Sequence, residues 1–541
     1  MRSRNRSTPH SSPLPHIVTK SRRYNRKHSK HQSSLSLSSN ITNMFAAIDK
    51  YLAKNTPLWY RTPVVQTSAL GLVFFWVFAA YTTVQFYSSS IYGSELAADC
   101  VSAVYLTFTV TCLVAPGIIN KFGCRVAMFT GVICYGNLVL ASLIYFEYGV
   151  EGVRWARRLV VAGGAVLGIG ASALWTAQGR LILQYAARAE ELEHIKNQLD
   201  SKSSGNGTKG KAGTLMSIFW AIFQCSSLVG GSISFIYYNK KPEGSTSLYI
   251  LFLGFIFIGA IFTQFLLPPS MLQSNHKVNE EKDLEMKSEQ TPLSADSSAQ
   301  YGDGSQMSEK NENGATIKEE LSTKSWFEEA KGTLQIFLTR EMMYLSPLFM
   351  YTGFNQPYQQ ATFGNRFFTK RTIGAELIIF HLMEILGAIV VGRFLDNEKS
   401  KCDSQRKRAI ICLVSFVLIN GAGNVIAFFQ EISAKHSISI ANDISEMRAI
   451  VPSTAFALWG FADAQIQVYC YWLIGSFYSS GHDHSRAVGW YKCVQSLGTA
   501  IGFFLIPTQR LSEVAQLSVS SFLFLLGTAL SFTQLPSTTA L

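Results

Sequence analysis

Apolar and polar positions along this chain fall into long blocks rather than the short periods of a soluble amphipathic fold. Twelve strongly apolar blocks, six before and six after a polar gap at 274–324, are each about long enough to cross a bilayer. They read 63–86, 100–119, 126–146, 159–184, 215–238 and 247–268, then 342–363, 373–394, 408–430, 449–477, 487–507 and 514–535. The run Leu251, Phe252, Leu253, Gly254, Phe255, Ile256, Phe257, Ile258 is apolar on every side, unlike a soluble helix with one face in water. Lipid offers no hydrogen bonds to an open backbone, so every block is expected to be a helix. The pattern predicts an all-α membrane protein with twelve transmembrane helices in two six-helix halves. Residues 1–62 form a basic disordered cytosolic tail, 63–268 the N-terminal half, 269–324 a disordered central cytosolic loop and 325–541 the C-terminal half.

Composition agrees, with 48% hydrophobic and 15% charged residues. The net charge of +12 sits almost wholly in the tail, where Arg2, Arg4, Arg6, Arg22, Arg23, Arg26, Lys27 and Lys30 face only Asp49. Such a segment is a solvated basic tail, an anionic-lipid binder or an Arg-rich, acid-poor organellar transit peptide. No folded module accompanies the charge, so the expected partner is the lipid bilayer and not nucleic acid. Of nine cysteines, Cys112, Cys134, Cys225, Cys412, Cys470 and Cys493 lie in apolar blocks and none forms a C-x-x-C pair, so neither a disulfide framework nor a metal site is implied. Nor is a cofactor.

Lys121 and Arg125 after the second block, and Arg393, Lys399, Lys401, Arg406, Lys407 and Arg408 after the eighth, lie on the tail's side. By the positive-inside rule both termini are cytosolic, in a plasma membrane or endomembrane. The opposite loops also hold cations, among them Arg154, Arg157, Arg158, Lys240, Lys241 and Arg366. Two hydrophilic insertions, 187–211 and 274–324, are then cytosolic; the second has the Ser, Glu, Lys and Asn content of a disordered linker. Gly205 to Lys211 nearly spell a phosphate-binding loop. Ala212 replaces the magnesium-binding hydroxyl and no strand precedes it, so no nucleotide site is expected.

Two sets of six spans around a long loop resemble the major facilitator superfamily. Its signature, G-x-x-x-D-R-x-G-R-R between spans two and three, is degraded here: Pro116 and Asn120 replace the first glycine and the acid, while Gly123 and Arg125 are kept. The corresponding loop of the second half starts better, with Gly392 and Asp396 at the right interval. In that fold spans three, six, nine and twelve are peripheral and the others line a cavity. Charge in a bilayer is costly and should avoid peripheral helices, and those four spans carry none apart from Arg408 at one end.

The interior ionisable residues instead fall on spans eight, ten and eleven: His381, Glu384, Asp463 and Lys492. His381 and Glu384 stand at i and i+3 on one helix face, an arrangement that either relays protons or bonds within the bundle. A mid-membrane Asp463 must be neutral or paired, and Lys492 is the nearest intramembrane cation in sequence. Arg180 and Glu376, near span ends, are expected to reach the interface by snorkelling. Gln178, Gln224 and Gln356 are polar cavity candidates or glue between helices, and the Gly164/Gly168 and Gly498/Gly502 pairs permit close helix packing. No nucleophile and base arrangement and no zinc motif is present, so the chain is not expected to be an enzyme.

The blocks Leu174–Gly179, Ile218–Gln224, Tyr351–Gln356, Ala457–Asp463 and Tyr491–Gly498 make the chain similar to the uncoordinated-93-like (Unc-93-like) family of the major facilitator superfamily. They lie in both halves and in the expected order. The resemblance implies a multi-pass membrane protein in ion homeostasis, potassium included, or in transmembrane transport, acting as a carrier or a regulator of an ion channel. The alternative is a non-transporting trafficking or chaperone partner of another membrane protein, a channel or receptor. It supplies no agreed set of substrate-binding residues, and solute and ion stay open.

Overall fold

The computed structural model describes residues 47–48, 50–52, 54–148, 154–199, 211–240, 246–273, 326–397, 404–434, 441–506 and 510–535. Most of the basic tail, the glycine-lysine run before Lys211 and nearly all of the central loop lie outside them. The chain divides into two compact units, Met1–Asn55 and Thr56–Leu541. The first is helical at its described positions.

The second unit is built from helices. They are α1 (Pro63–Tyr92), α2 (Ser94–Cys112), a short α3 (Ala115–Phe122), α4 (Cys124–Tyr148), α5 (Arg154–Leu199), α6 (Ala212–Lys240) and α7 (Thr246–Gln264). After the central loop come α8 (Trp326–Phe337), α9 (Arg340–Gln356), a π-helical stretch (Pro357–Phe363), α10 (Gly364–Phe367), α11 (Lys370–Leu395), α12 (Gln405–Ala434), α13 (Ile450–Phe477), α14 (Gly481–Leu505) and α15 (Glu513–Thr533). Long helices alternate in direction. One face, termed proximal, carries the starts of α1, α6, α9 and α14 and the ends of α2 and α11; the other is distal.

Nine helices among the described residues are long and apolar enough to cross a membrane: the six of the first half, together with α11, α12 and α15. The twelve expected blocks include three that fall short, at α9, α13 and α14. The reason is physical. These helices hold Asn355 and Gln356, Asp463, Gln465 and Gln467, and Lys492 and Gln495, so polarity rises where the bundle is most enclosed. In α9 the backbone also changes register: Pro357 has no N–H to give, and the chain continues as a π-helix to Phe363.

Two blocks end elsewhere than their apolarity indicates. α5 continues fifteen residues past Gln184 to Leu199, through Ala, Glu and Leu residues that favour helix, with Arg188 paired to Glu191 at 2.7 Å. α12 reaches Ala434 and so includes Glu431, 1% exposed, which places a buried acid on a helix expected to hold none. Arg408 at its start is also buried, its Nε donating to the Leu395 carbonyl at 2.8 Å.

Lipid gives helices little hydrophobic reason to associate, so van der Waals fit holds each half together. Phe74 meets Trp175 at 4.8 Å and Phe219 at 5.0 Å between ring centroids, and Phe78 meets Phe223 at 4.9 Å, all edge-on, fastening α1 to α5 and α6. Each such pair contributes about 0.5–1.5 kcal/mol. Gly164 and Gly168 press α5 on Cys100, Val104 and Thr107 of α2, and Gly498 and Gly502 press α14 on Met350, Phe354 and Pro357. Both small-residue pairs are consumed inside the bundle.

Candidate functional site

Between the halves lies a cavity of about 710 Å3, within the size range of small-molecule sites, about 300–1,000 Å3. Its walls come from the distal part of α1 (Phe78, Tyr81), the first turns of α2, Trp175 of α5, Trp220 and Gln224 of α6, and Gln356 and Gln360 at the π-helical stretch. His381 and Glu384 of α11, Gln467 of α13, and Lys492 and Gln495 of α14 complete it. The lining therefore runs from the distal side down to Phe108, Trp175 and Lys492 inside the bundle.

A continuous polar chain runs along the C-terminal side of this cavity. His381 Nδ1 lies 2.7 Å from Glu384 Oε2, the i, i+3 contact the spacing predicts. The Glu384 carboxyl is also within hydrogen-bonding reach of Gln224, across the halves, and of Asp463. Asp463, 1% exposed, accepts from Gln467 Nε2 at 2.7 Å and from Asn355 Nδ2 at 3.4 Å. Gln467 Oε1 in turn accepts from Gln495 Nε2 at 3.1 Å, and Gln495 Oε1 accepts from Lys492 Nζ at 2.7 Å. Four residues, Glu384, Asp463, Gln467 and Gln495, thus stand between His381 and Lys492 in this chain.

Lys492 and Asp463 do not form an ion pair; two glutamines separate them. The Lys492 ammonium instead sits over Trp175 at 4.4 Å, Tyr491 at 4.8 Å and Tyr471 at 5.5 Å from the ring centroids. Trp175 is on α5, so this cation–π contact crosses the halves. Tyr471 adds a second crossing by donating to Gln178 Oε1 at 3.2 Å, which places Gln178 beneath the cavity, with its amide also 3.8 Å from Met216 Sδ.

The proximal face is closed by the two signature-like loops. Asn120 Oδ1 accepts from Ser485 Oγ at 2.6 Å and from Arg180 Nη1 at 2.7 Å, joining α3 to the start of α14. Gly123 ends α3 at φ +85°, a conformation that favours glycine, and Arg125 binds the Leu266 carbonyl through its guanidinium. In the second half Gly392 lets α11 approach α6, since an added Cβ would stand 2.4 Å from the Gly213 carbonyl. Asp396 then accepts from the Thr214 backbone N–H at the start of α6. A carboxylate at a helix N-terminus is favourable electrostatically.

Burial nonetheless pushes the Asp396 carboxyl up to about 7, with the Thr214 N–H pulling the other way. The closed, folded state therefore binds more protons than an unfolded chain, whose Asp titrates near 3.9. Stability from this group is present at acid pH and lost as pH rises through about 7. Thermal unfolding of wild type relative to Asp396→Asn should show that downward slope between about pH 4 and pH 7; parallel profiles would contradict it.

Of the residues singled out in the sequence, His381, Glu384, Lys492, Gln224 and Gln356 line the cavity, while Asp463 and Gln178 lie one layer below. Arg180 and Glu376 do not snorkel. Arg180 binds Asn120, and Glu376, 1% exposed, accepts from Ser453 Oγ, because neighbouring helices offer a partner nearer than the headgroups. Sequence reasoning missed the cage of Trp175, Tyr471 and Tyr491, which comes from three helices, and the role of Gln495 four residues before Thr499. It also missed the ion pairs of Arg366, read there only as a loop cation, which reaches Glu431 at 3.1 Å and Glu513 at the distal end.

The chain is similar to known proteins over most of its length. UNC93-like protein 1 of Arabidopsis thaliana is 24% identical over 471 residues, 85% of this chain and 87% of that one. UNC93-like protein C922.05c of Schizosaccharomyces pombe is 23% identical over 418 residues, 76% of this chain and 70% of that one. Among solved structures, the major facilitator superfamily proton:xylose symporter XylE superposes with a TM-score of 0.51 at 11% identity, covering 88% of this chain and 95% of its own. That match shows the fold: this is an integral, multi-pass membrane protein with the major facilitator fold. The profile of the ion channel regulatory protein UNC-93 family matches residues 99–196 and 202–532, and the chain belongs to that family.

Proposed function

We propose that the protein is a secondary carrier of a small solute, coupled to proton movement, within the ion-homeostasis and transport role expected of the family. The observation that carries this reading is the contact of His381, Glu384 and Asp463 in and behind the wall of an inter-half cavity that is closed at its proximal face. A carrier needs a central site, a barrier on one side and a group that changes charge during the cycle, and these residues supply each. With α9, α13 and α14 crossing beside the nine apolar helices, the bundle makes twelve crossings. The basic loops then put the proximal face and both termini in the cytosol, and the cavity faces outward. No catalytic step is needed.

Purified protein in vesicles should move protons with a solute when a pH gradient is imposed, and a screen across cations, protons and small organic solutes tests it. Absence of any protein-dependent flux across the screen overturns the carrier reading.

A second reading, a non-transporting regulator bound to a channel or receptor in the membrane, is favoured by the family's description and by Asn120 standing where the signature has an acid. A membrane protein should then co-purify in a fixed ratio in mild detergent. Purification of the chain alone, with flux intact, removes it.

A further inference from the structure

The Lys492 ammonium is the unusual charge in this cavity. It is 3% exposed, and among the described residues no carboxylate lies within ion-pair distance of it. Only one of its three N–H donors is taken, by Gln495 Oε1 at 2.7 Å; the rest of its environment is the rings of Trp175, Tyr491 and Tyr471. A buried cation held by aromatic faces and one amide keeps unspent capacity for an anion, and charge-assisted hydrogen bonds to it are stronger than neutral ones. The other wall carries a second open position: His381 Nε2 is buried and has no hydrogen-bond partner, while Nδ1 is engaged by Glu384. Between these two points the lining mixes the rings of Trp175, Trp220 and Phe223 with amides and hydroxyls.

We propose that the cavity is a binding site for an organic monoanion with an apolar or aromatic body, its carboxylate held by Lys492 and its body laid against the Trp175 side of the cavity. This rests on the carrier reading and names its substrate class. A bare inorganic ion leaves most of the 710 Å3 unfilled. An organic cation meets an aromatic cage already occupied by the protein's own ammonium. A monoanion matches the free donors of Lys492, the rings beside it and the volume together.

The test uses the full chain in detergent and three probes of one shape: 3-phenylpropionate, its neutral amide and 3-phenylpropylamine. Binding is read as quenching of tryptophan fluorescence, since Trp175 and Trp220 line the cavity. The carboxylate should bind saturably, at least about tenfold more tightly than the amide, with the amine weaker still. Lys492→Met should abolish the preference for the carboxylate over the amide, and Lys492→Arg should retain it. The charge series on the unaltered protein does not depend on whether a variant folds. Equal or tighter binding of the amine, or a carboxylate preference that survives in Lys492→Met, overturns the proposal. Carboxylate binding without flux refutes the carrier reading and leaves this site standing; flux of cations without carboxylate binding does the reverse.

Discussion

Glu384→Gln brings proton-coupled flux in reconstituted vesicles down to the level of protein-free vesicles. Glutamine keeps the shape of the side chain and can still bond to His381, Gln224 and Asp463, the three neighbours of the carboxyl. What it removes is the ability to gain and lose a proton. On the proposed carrier reading, Glu384 with its neighbour Asp463 takes up and releases the coupled proton, which reaches the cavity side through His381. With the amide in place, Asp463 remains as a lone acid behind the wall, reachable only through Gln467 and Asn355, neither of which carries a proton. The variant should elute and unfold like wild type, and it should still bind solute. A wild-type flux with an unchanged pH profile would remove the proton-coupling role of this contact.

The part of this site that was legible in the sequence is the part written along single helices. His381 and Glu384 are three residues apart, so helical geometry alone brings them together, and their confinement with Asp463 and Lys492 to three spans follows from the cost of charge in lipid. The positions of Asn120, Gly123, Arg125, Gly392 and Asp396 were legible as loop signatures, although which helix each would touch was not. Asp396 meets Thr214, nearly two hundred residues away, and only the packing of α11 on α6 brings them within reach.

The rest depends on where separate helices cross. Trp175, Tyr471 and Tyr491 read singly as apolar core, and the cage they make around Lys492 exists only when α5, α13 and α14 converge. The pairing of Lys492 with Asp463, left open beside a neutral Asp463, is not formed for the same reason: nearness in sequence does not register the glutamines that intervene in space. Glu431 escaped notice because apolarity fades at Gln430, and an apolar block cannot report that the helix carries on with a buried acid.

That acid leads to the largest expected effect on stability. Arg366 closes α10 with its guanidinium 3.1 Å from Glu431 Oε2 of α12 and in contact with Glu513 of α15, so one cation ties together three elements at the distal end. Tyr358, within the π-helical stretch of the cavity wall, donates to Glu431 Oε1 at 3.2 Å. The Glu431 side chain is fully buried, whereas those of Arg366 and Glu513 are 24% exposed, so the three members are not equivalent. Arg366→Met leaves Glu431 as a buried acid with only a tyrosine for company, and loss of one partner of a buried pair costs about 3–5 kcal/mol. Glu513→Gln leaves Glu431 its cation and should cost less than Arg366→Met. The double variant Arg366→Met, Glu431→Leu removes the stranded acid along with its partner and should recover most of the loss, since replacing both members by apolar groups is often neutral. Denaturation of the four proteins in one detergent separates these terms. If Arg366→Met and the double variant unfold together, the cost lies in lost packing around α10 rather than in an uncompensated carboxylate. In that case the Tyr358 contact does not hold the π-helical wall through charge.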